Sequence, residues 1–212
     1  MRIHAFRTFV LAATTVVISG DATRTYASDK NQFGLLLGDT VTPSLQLRDG
    51  GKLKVGSGVA FQLNYARRLA TFHKSTLFLE VPAVAIPLQE ITASNGNVPA
   101  NYDSFFVTPA LRLELASSAR VSPWFSVGGG YALFDESVKK MDGSHNTTRG
   151  TSGGAVQFGG GVDIRTPIKV WFPVGVRFEL RDFYTSKPTY NVDTGGGLQH
   201  NLVFSGGFFL RF

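Results

Sequence analysis

The segment PVGVRFELRD, residues 173–182, sorts its side chains into two files, with Val174, Val176, Phe178 and Leu180 on one side and Gly175, Arg177, Glu179 and Arg181 on the other. A period of two with one apolar face marks a β-strand whose two sides meet different surroundings. The pattern recurs along the chain. GVAFQLNYARRLA opposes Val59, Phe61, Leu63 and Tyr65 to Ala60, Gln62, Asn64 and Ala66. TLFLEVPAVAI opposes Leu77, Leu79, Val81 and Ala83 to Phe78, Glu80, Pro82 and Val84, and VTPALRLELA opposes Val107, Pro109, Leu111, Leu113 and Leu115 to Ala110, Arg112 and Glu114.

Eight such segments are predicted, near 32–38, 56–68, 75–88, 104–117, 120–135, 153–165, 170–184 and 199–212. The spacers alternate in length. Long ones fall near 39–55, 89–103, 136–152 and 185–198, and short ones near 69–74, 118–119 and 166–169. An up-and-down strand order therefore puts every long loop at one end and every short turn, with both termini, at the other. Glycine, at 24 residues, exceeds the usual ~7% and fits turns and crowded strands rather than helices.

The N-terminus has the form of an export leader. Arg2 and Arg7 precede an uncharged run from Thr8 to Gly20, and Thr25-Tyr26-Ala27 offers small residues for cleavage. That run is shorter than the ~20 residues of a spanning helix. A signal peptide over 1–27 and a single domain over 28–212 are expected. With no cysteine the exported chain has no disulfide framework. A net charge of +6, with Lys and Arg never more than two in a row, leaves no nucleic-acid footprint.

Eight alternating strands fit a soluble sandwich or barrel, apolar face inward, or a membrane barrel, apolar face outward. Three features favour the membrane. Short turns at one end and long loops at the other are the habit of such barrels. The polar files carry equal numbers of acids and bases, Glu80, Glu114, Asp163 and Glu179 against Arg112, Arg177, Arg181 and Arg211, which would let an enclosed lumen neutralise itself. The apolar files place Tyr65, Phe125, Phe172 and Phe212 near the short-turn rim, where an interfacial belt belongs. Register follows from this. Turning the seventh strand over would aim Arg177 and Arg181 at hydrocarbon, at about 2–4 kcal/mol each.

Two details strain the scheme. Pro82 and Pro109 fall inside strands paired on both sides, which asks for bulges. By parity Trp124 and Trp171 face inward near the short-turn end, where they would pack near the rim or cap the lumen.

The ending NLVFSGGFFLRF, with Phe204, Phe208, Leu210 and Phe212 on one face, resembles the C-terminal signal by which outer-membrane barrels are recognised for assembly. Together with VSPWFSVGGGYALFD and GGAVQFGGGVDIRTPIKVWFPVGVRFELRDF, it makes the chain similar to the small eight-stranded OmpA-type barrels of Gram-negative bacteria and their compact outer membrane protein beta-barrel domain relatives. The resemblance implies an all-β, eight-stranded antiparallel up-and-down transmembrane barrel with periplasmic termini. It also implies contact with outer-membrane lipid and lipopolysaccharide, transient contact with the barrel-assembly machinery, and a monomeric state. Larger OmpA-type proteins carry a peptidoglycan-gripping domain after the barrel. This sequence stops at Phe212, so a wall-tethering role is not expected.

Catalysis is not expected either. His73-Lys74-Ser75, with Glu80 nearby, is the one pairing that suggests a nucleophile and base, but it lies in a predicted periplasmic turn. His145 and His200 are far apart, no HExxH or cysteine spacing suggests a metal, and the glycine triplets at 128–130 and 159–161 precede strands rather than a helix. No cofactor is expected. Eight strands leave a lumen that side chains can fill. The charged set therefore predicts an ionic plug, with a narrow pore as the alternative and a lipid-acyl hydrolase behind it. The long loops are the remaining place for a surface ligand or partner.

Overall fold

The computed structural model describes residues 30–47, 51–93, 97–147, 150–169, 171–188, 190–192 and 197–212. The expected signal peptide, 1–27, lies outside them.

Among the described residues the chain forms eleven antiparallel strands: β1 (Asn31–Val41), β2 (Leu45–Gln46), β3 (Lys52–Val55), β4 (Gly58–Phe72), β5 (Ser75–Ala93), β6 (Asn101–Val107), β7 (Ala110–Glu114), β8 (Val121–Glu136), β9 (Gly150–Lys169), β10 (Pro173–Ser186) and β11 (Leu198–Arg211). The sheet closes because β1 pairs with β4 on one side and with β11 on the other, from Gln32↔Arg211 to Val41↔Leu202. β6 and β7 share one position in the wall, between β5 and β8. With those two taken together, the ring has eight staves, as the alternation predicts.

The expected alternation of loops is present. The short connections after β4, β7 and β9, with turns at 73–74, 115–120 and 171–172, lie at one end, and the longer connections lie at the other. Apart from β4, the strands run further toward the long-loop end than the sequence pattern suggests, and the first long connection contains a ribbon of its own. There β2 pairs with β3, and β3 pairs with the upper part of β5 through Leu53↔Ala93 and Val55↔Ile91.

The two prolines are accommodated without the bulges that could have absorbed them. Register is the same on either side of Thr108-Pro109, with Ala83↔Val107 above and Glu80↔Ala110 below. The Thr108 amide still donates to the Pro82 carbonyl (3.3 Å), and the Gly129 amide to the Pro109 carbonyl (3.1 Å). Each proline simply forgoes its own N–H, which makes a soft spot in an otherwise regular ladder.

The faces are inverted relative to a water-soluble barrel. Leu35, Leu37, Phe61, Phe125, Phe158, Phe178, Phe204 and Phe208 stand exposed around the outer wall, whereas Arg112, Arg177 and Arg181 are among the most completely buried side chains inside it. Continuous apolar exterior of this extent requires hydrocarbon rather than water. The molecule is a transmembrane β-barrel.

Its interior has two storeys. Toward the short-turn end the lumen is ionic. Toward the long-loop end it is an apolar core that includes Phe106, Phe134, Phe183, Val203 and Tyr102 and continues into Leu47, Leu53, Val98 and Tyr190 of the loops. Phe106 and Phe183 stack with centroids 4.6 Å apart, and Phe134 meets Phe106 edge-on at 5.8 Å. The long connections are thus not merely polar closures, because they supply apolar residues that seal the upper lumen.

Candidate functional site

Inward parity places Glu80 on β5, Arg112 and Glu114 on β7, Asp163 on β9, Arg177, Glu179 and Arg181 on β10 and Arg211 on β11. The first seven are almost wholly buried. Arg177 grips Asp163 in a fork, with Nε donating to Oδ1 and Nη2 to Oδ2, both at 2.7 Å. Its Nη1 reaches across the lumen to Glu80 Oε1 at 3.0 Å. Arg181 donates to the other oxygen of Glu80 at 2.9 Å and to both oxygens of Glu179. Arg112 lies 3.5 Å from Glu80 and 3.7 Å from Asp163. Arg211 closes the short-turn mouth by donating to Glu114 at 2.9 Å, with Arg165 beside the same carboxylate at 3.6 Å.

Several members of this cluster were not singled out in the sequence. Gln32 accepts from both Arg112 and Arg177 through one oxygen. Gln62 and Asn64 donate to Glu179, and Ser205 donates to Gln62. All four are uncharged inward residues of β1, β4 and β11, so strand parity was the available signal.

Trp124 occupies the centre. Its indole N–H donates to Asp163 at 3.0 Å, and the guanidinium carbons of Arg112, Arg177 and Arg181 stand 5.5, 5.3 and 5.2 Å from the ring centre. Three cations share one aromatic face system, each attracted to the ring quadrupole. Trp124 therefore faces inward as parity implies, but as the hub of the network rather than as a cap. Trp171 does not follow: it is 91% exposed in the turn before β10, where strand parity no longer applies.

Two glycines make room for this packing. A Cβ on Gly161 would overlap the Trp124 indole, and one on Gly175 would overlap the ring of Phe209, which itself lies under Arg177 and Arg211.

The remaining sequence candidates lie outside the lumen. Phe125, Phe172, Phe204 and Phe208 are exposed on the outer wall, while Tyr65, Leu210 and Phe212 are half-exposed there. Phe172 packs on Phe212 at 5.6 Å. Phe212 and Asn31 exchange backbone hydrogen bonds at 2.8 and 3.0 Å, so the chain end is stitched to the first strand. The His73-Lys74-Ser75 turn does not assemble a triad. Ser75 lies on the outward file of β5, whereas Glu80 faces inward and is bonded to Arg177 and Arg181.

A second polar cluster lies at the top of the lumen. Asp103 and Asp135 oppose each other on the outer face and mark the upper limit of the apolar band. One residue beyond, buried Glu136 accepts from Asn146 Nδ2 (3.2 Å) and from the Tyr190 amide (3.3 Å), and Asn191 donates to Asn146 (2.8 Å). Burial holds Glu136 above the ordinary carboxylate range, burial pushes Tyr102 up to about 12, and burial raises Tyr190 as well. The loop at 190–192 thus closes onto the barrel through a carboxylate held by neutral donors.

No protein-family model matches the chain, and neither does any curated protein. Solved structures do match. Neisserial surface protein A (NspA) is similar over 87% of this chain and 98% of that one, with a TM-score of 0.54 at 11% identity. The fold is that of a small outer-membrane β-barrel. Ail, the attachment invasion locus protein of Yersinia pestis, covers 86% of this chain and 99% of its own at a TM-score of 0.46 and 12% identity. AlkL, an outer membrane protein solved in lipid bilayers, covers 92% and 95% at 0.48 and 14%.

Proposed function

We propose that the protein is an integral outer-membrane barrel of a Gram-negative cell with a structural and surface-presenting role, closed to solutes and without catalysis. The carrying observation is the filled interior, ionic in one half and aromatic in the other, which leaves the long loops as the surface offered to the outside. In this reading the termini and short turns face the periplasm. Tyr65, Phe125, Phe172 and Phe212 form the periplasmic-side aromatic belt, and lipid and lipopolysaccharide surround the wall. Phe204, Phe208, Leu210 and Phe212 on the last strand form the signal read by the barrel-assembly machinery, and the barrel works as a monomer. Fold alone does not decide activity. The separation of Ser75 from Glu80 onto opposite faces is what argues against the hydrolase reading.

The test is topological. An epitope inserted after Gly143, in the exposed third long connection, is expected to be labelled on intact cells, whereas one inserted after His73 is labelled only after permeabilisation. The reverse pattern would overturn the orientation.

A further inference from the structure

The short-turn rim carries a feature that neither the lumen nor the belt accounts for. The pairing of β4 with β5 slips between Arg68 and Ala70, which leaves Leu69 as the extra residue and turns it out to 53% exposure. Bulges re-aim side chains in this way at sheet margins. Beside Leu69 the wall opens into a pocket of about 270 Å³ lined by Lys30, Arg67, Arg68, Leu69, Ala70 and Thr71. The Arg68 amide donates to the Lys30 carbonyl at 2.7 Å, which fixes the start of β1 against the bulge and brings Lys30 to the same pocket. Lys30 and Arg67 are exposed.

The height of the pocket is the second observation. Arg67 is on the outward file of β4, cross-strand from Leu79 and two residues beyond Tyr65, whose hydroxyl donates to Asn31 at 2.9 Å. The outward residues above it, Leu63 and Phe61, belong to the apolar band. A lipid whose acyl chains lie along Phe61 and Leu63 would thus present its phosphate at the level of Lys30 and Arg67, with Leu69 beyond it toward the short turn. Basic pockets at this depth suit anionic headgroups.

We propose that this pocket is a binding site for the phosphodiester headgroup of an anionic phospholipid in the leaflet next to the short turns. Lys30 and Arg67 supply the charge, bulged Leu69 forms the short-turn side of the pocket, and Leu63 supplies an apolar contact for the chain below the glycerol. The inference rests on the membrane reading above but not on which leaflet faces the periplasm.

Native mass spectrometry of the refolded mature chain, released from micelles with equal phosphatidylglycerol and phosphatidylcholine, tests it. Only samples whose gel mobility shifts on boiling are scored, so a failure of the barrel to fold is seen separately from a failure to bind. Wild type should retain phosphatidylglycerol over phosphatidylcholine by about tenfold, the weight of one to two basic groups at a membrane surface. Lys30→Gln with Arg67→Gln should abolish that preference, while Lys52→Gln with Lys54→Gln, which removes equal charge from β3 near the long-loop end, should leave it. Equal retention of both lipids by wild type, equal loss in both double variants, or displacement of the lipid by millimolar inorganic phosphate would overturn the proposal.

Discussion

Trp124 donates its indole N–H to Asp163 at 3.0 Å, and the same carboxylate is held in a fork by Arg177. One buried acid is thereby shared between the barrel's largest inward side chain and the cation that reaches across to Glu80. Removing the indole therefore does two things: it takes away a donor and it opens a void beneath three guanidinium groups. Trp124→Phe should cost about 1–3 kcal/mol through the lost hydrogen bond. Trp124→Ala should cost about 3–5 kcal/mol because a cavity is added. Urea unfolding from lipid vesicles, followed by tryptophan emission in a Trp171→Phe background for the reference protein and by circular dichroism for the variants, measures both. Equal stability of Trp124→Ala and the reference would remove Trp124 from its central position.

A buried ion network is defined by what its disruption leaves behind. Arg177→Met takes the two-bond fork from Asp163, leaving it Trp124 and the more distant Arg112, and takes one of two arginine donors from Glu80; breaking a buried pair from one side costs about 3–5 kcal/mol. Adding Asp163→Asn neutralises the acid that has lost its closest cation, so the double variant should recover part of the loss. A double-mutant cycle in the same unfolding assay reads the coupling. Additive losses would mean that the 2.7 Å fork contributes no interaction of its own.

The inward glycines give a test by shape alone. Gly161→Ala pushes a methyl group against the Phe178 carbonyl oxygen and the Trp124 indole, and Gly175→Ala pushes one into the Phe209 ring; each should destabilise the barrel by about 1–3 kcal/mol. Gly154→Ala, in the same strand as Gly161 but with open space where the methyl would go, should be neutral. Equal effects at Gly154 and Gly161 would point to backbone entropy rather than packing.

The cap over the upper lumen should respond to pH through Glu136. Burial raises this carboxylate in the closed cap, with Asp135 beside it acting in the same direction and the donors Asn146 and Tyr190 opposing it. Closed cap therefore binds the proton more readily than open cap. Its extra stability is fully present below the solvated value of about 4.3 and is lost as pH rises through the raised, closed-state value. Hydrogen exchange at residues 137–147 and 190–192, corrected for the intrinsic rate, should be slower near pH 4 than near pH 8. Glu136→Gln should abolish the difference. A flat profile in wild type, or the same profile in the variant, would contradict this role.

Alternation made the staves and their facing legible. It told Arg177 and Arg181 from Phe178 and Leu180, and the same parity put Glu80, Arg112, Glu114 and Asp163 inside. It could not tell height or azimuth. Arg177 meets Glu80 from 97 positions away and Gln32 from 145 away, contacts set by the stagger of the closed sheet rather than by any local pattern. Parity also assigns a side without reading polarity at strand ends. Phe106, Phe134 and Phe183 are inward yet apolar, so the aromatic storey was not visible beside the charged one. Trp171 shows the complementary limit, since a residue in a turn has no parity to read.

A closed lumen is directly measurable. Planar-bilayer recordings of the mature chain, restricted to barrels whose gel mobility shifts on boiling, should show no steady conductance, whereas Arg177→Ala should introduce intermittent current by loosening the plug. Steady conductance from the unmodified, demonstrably folded barrel would contradict a closed lumen and make the charged storey a path rather than a stopper.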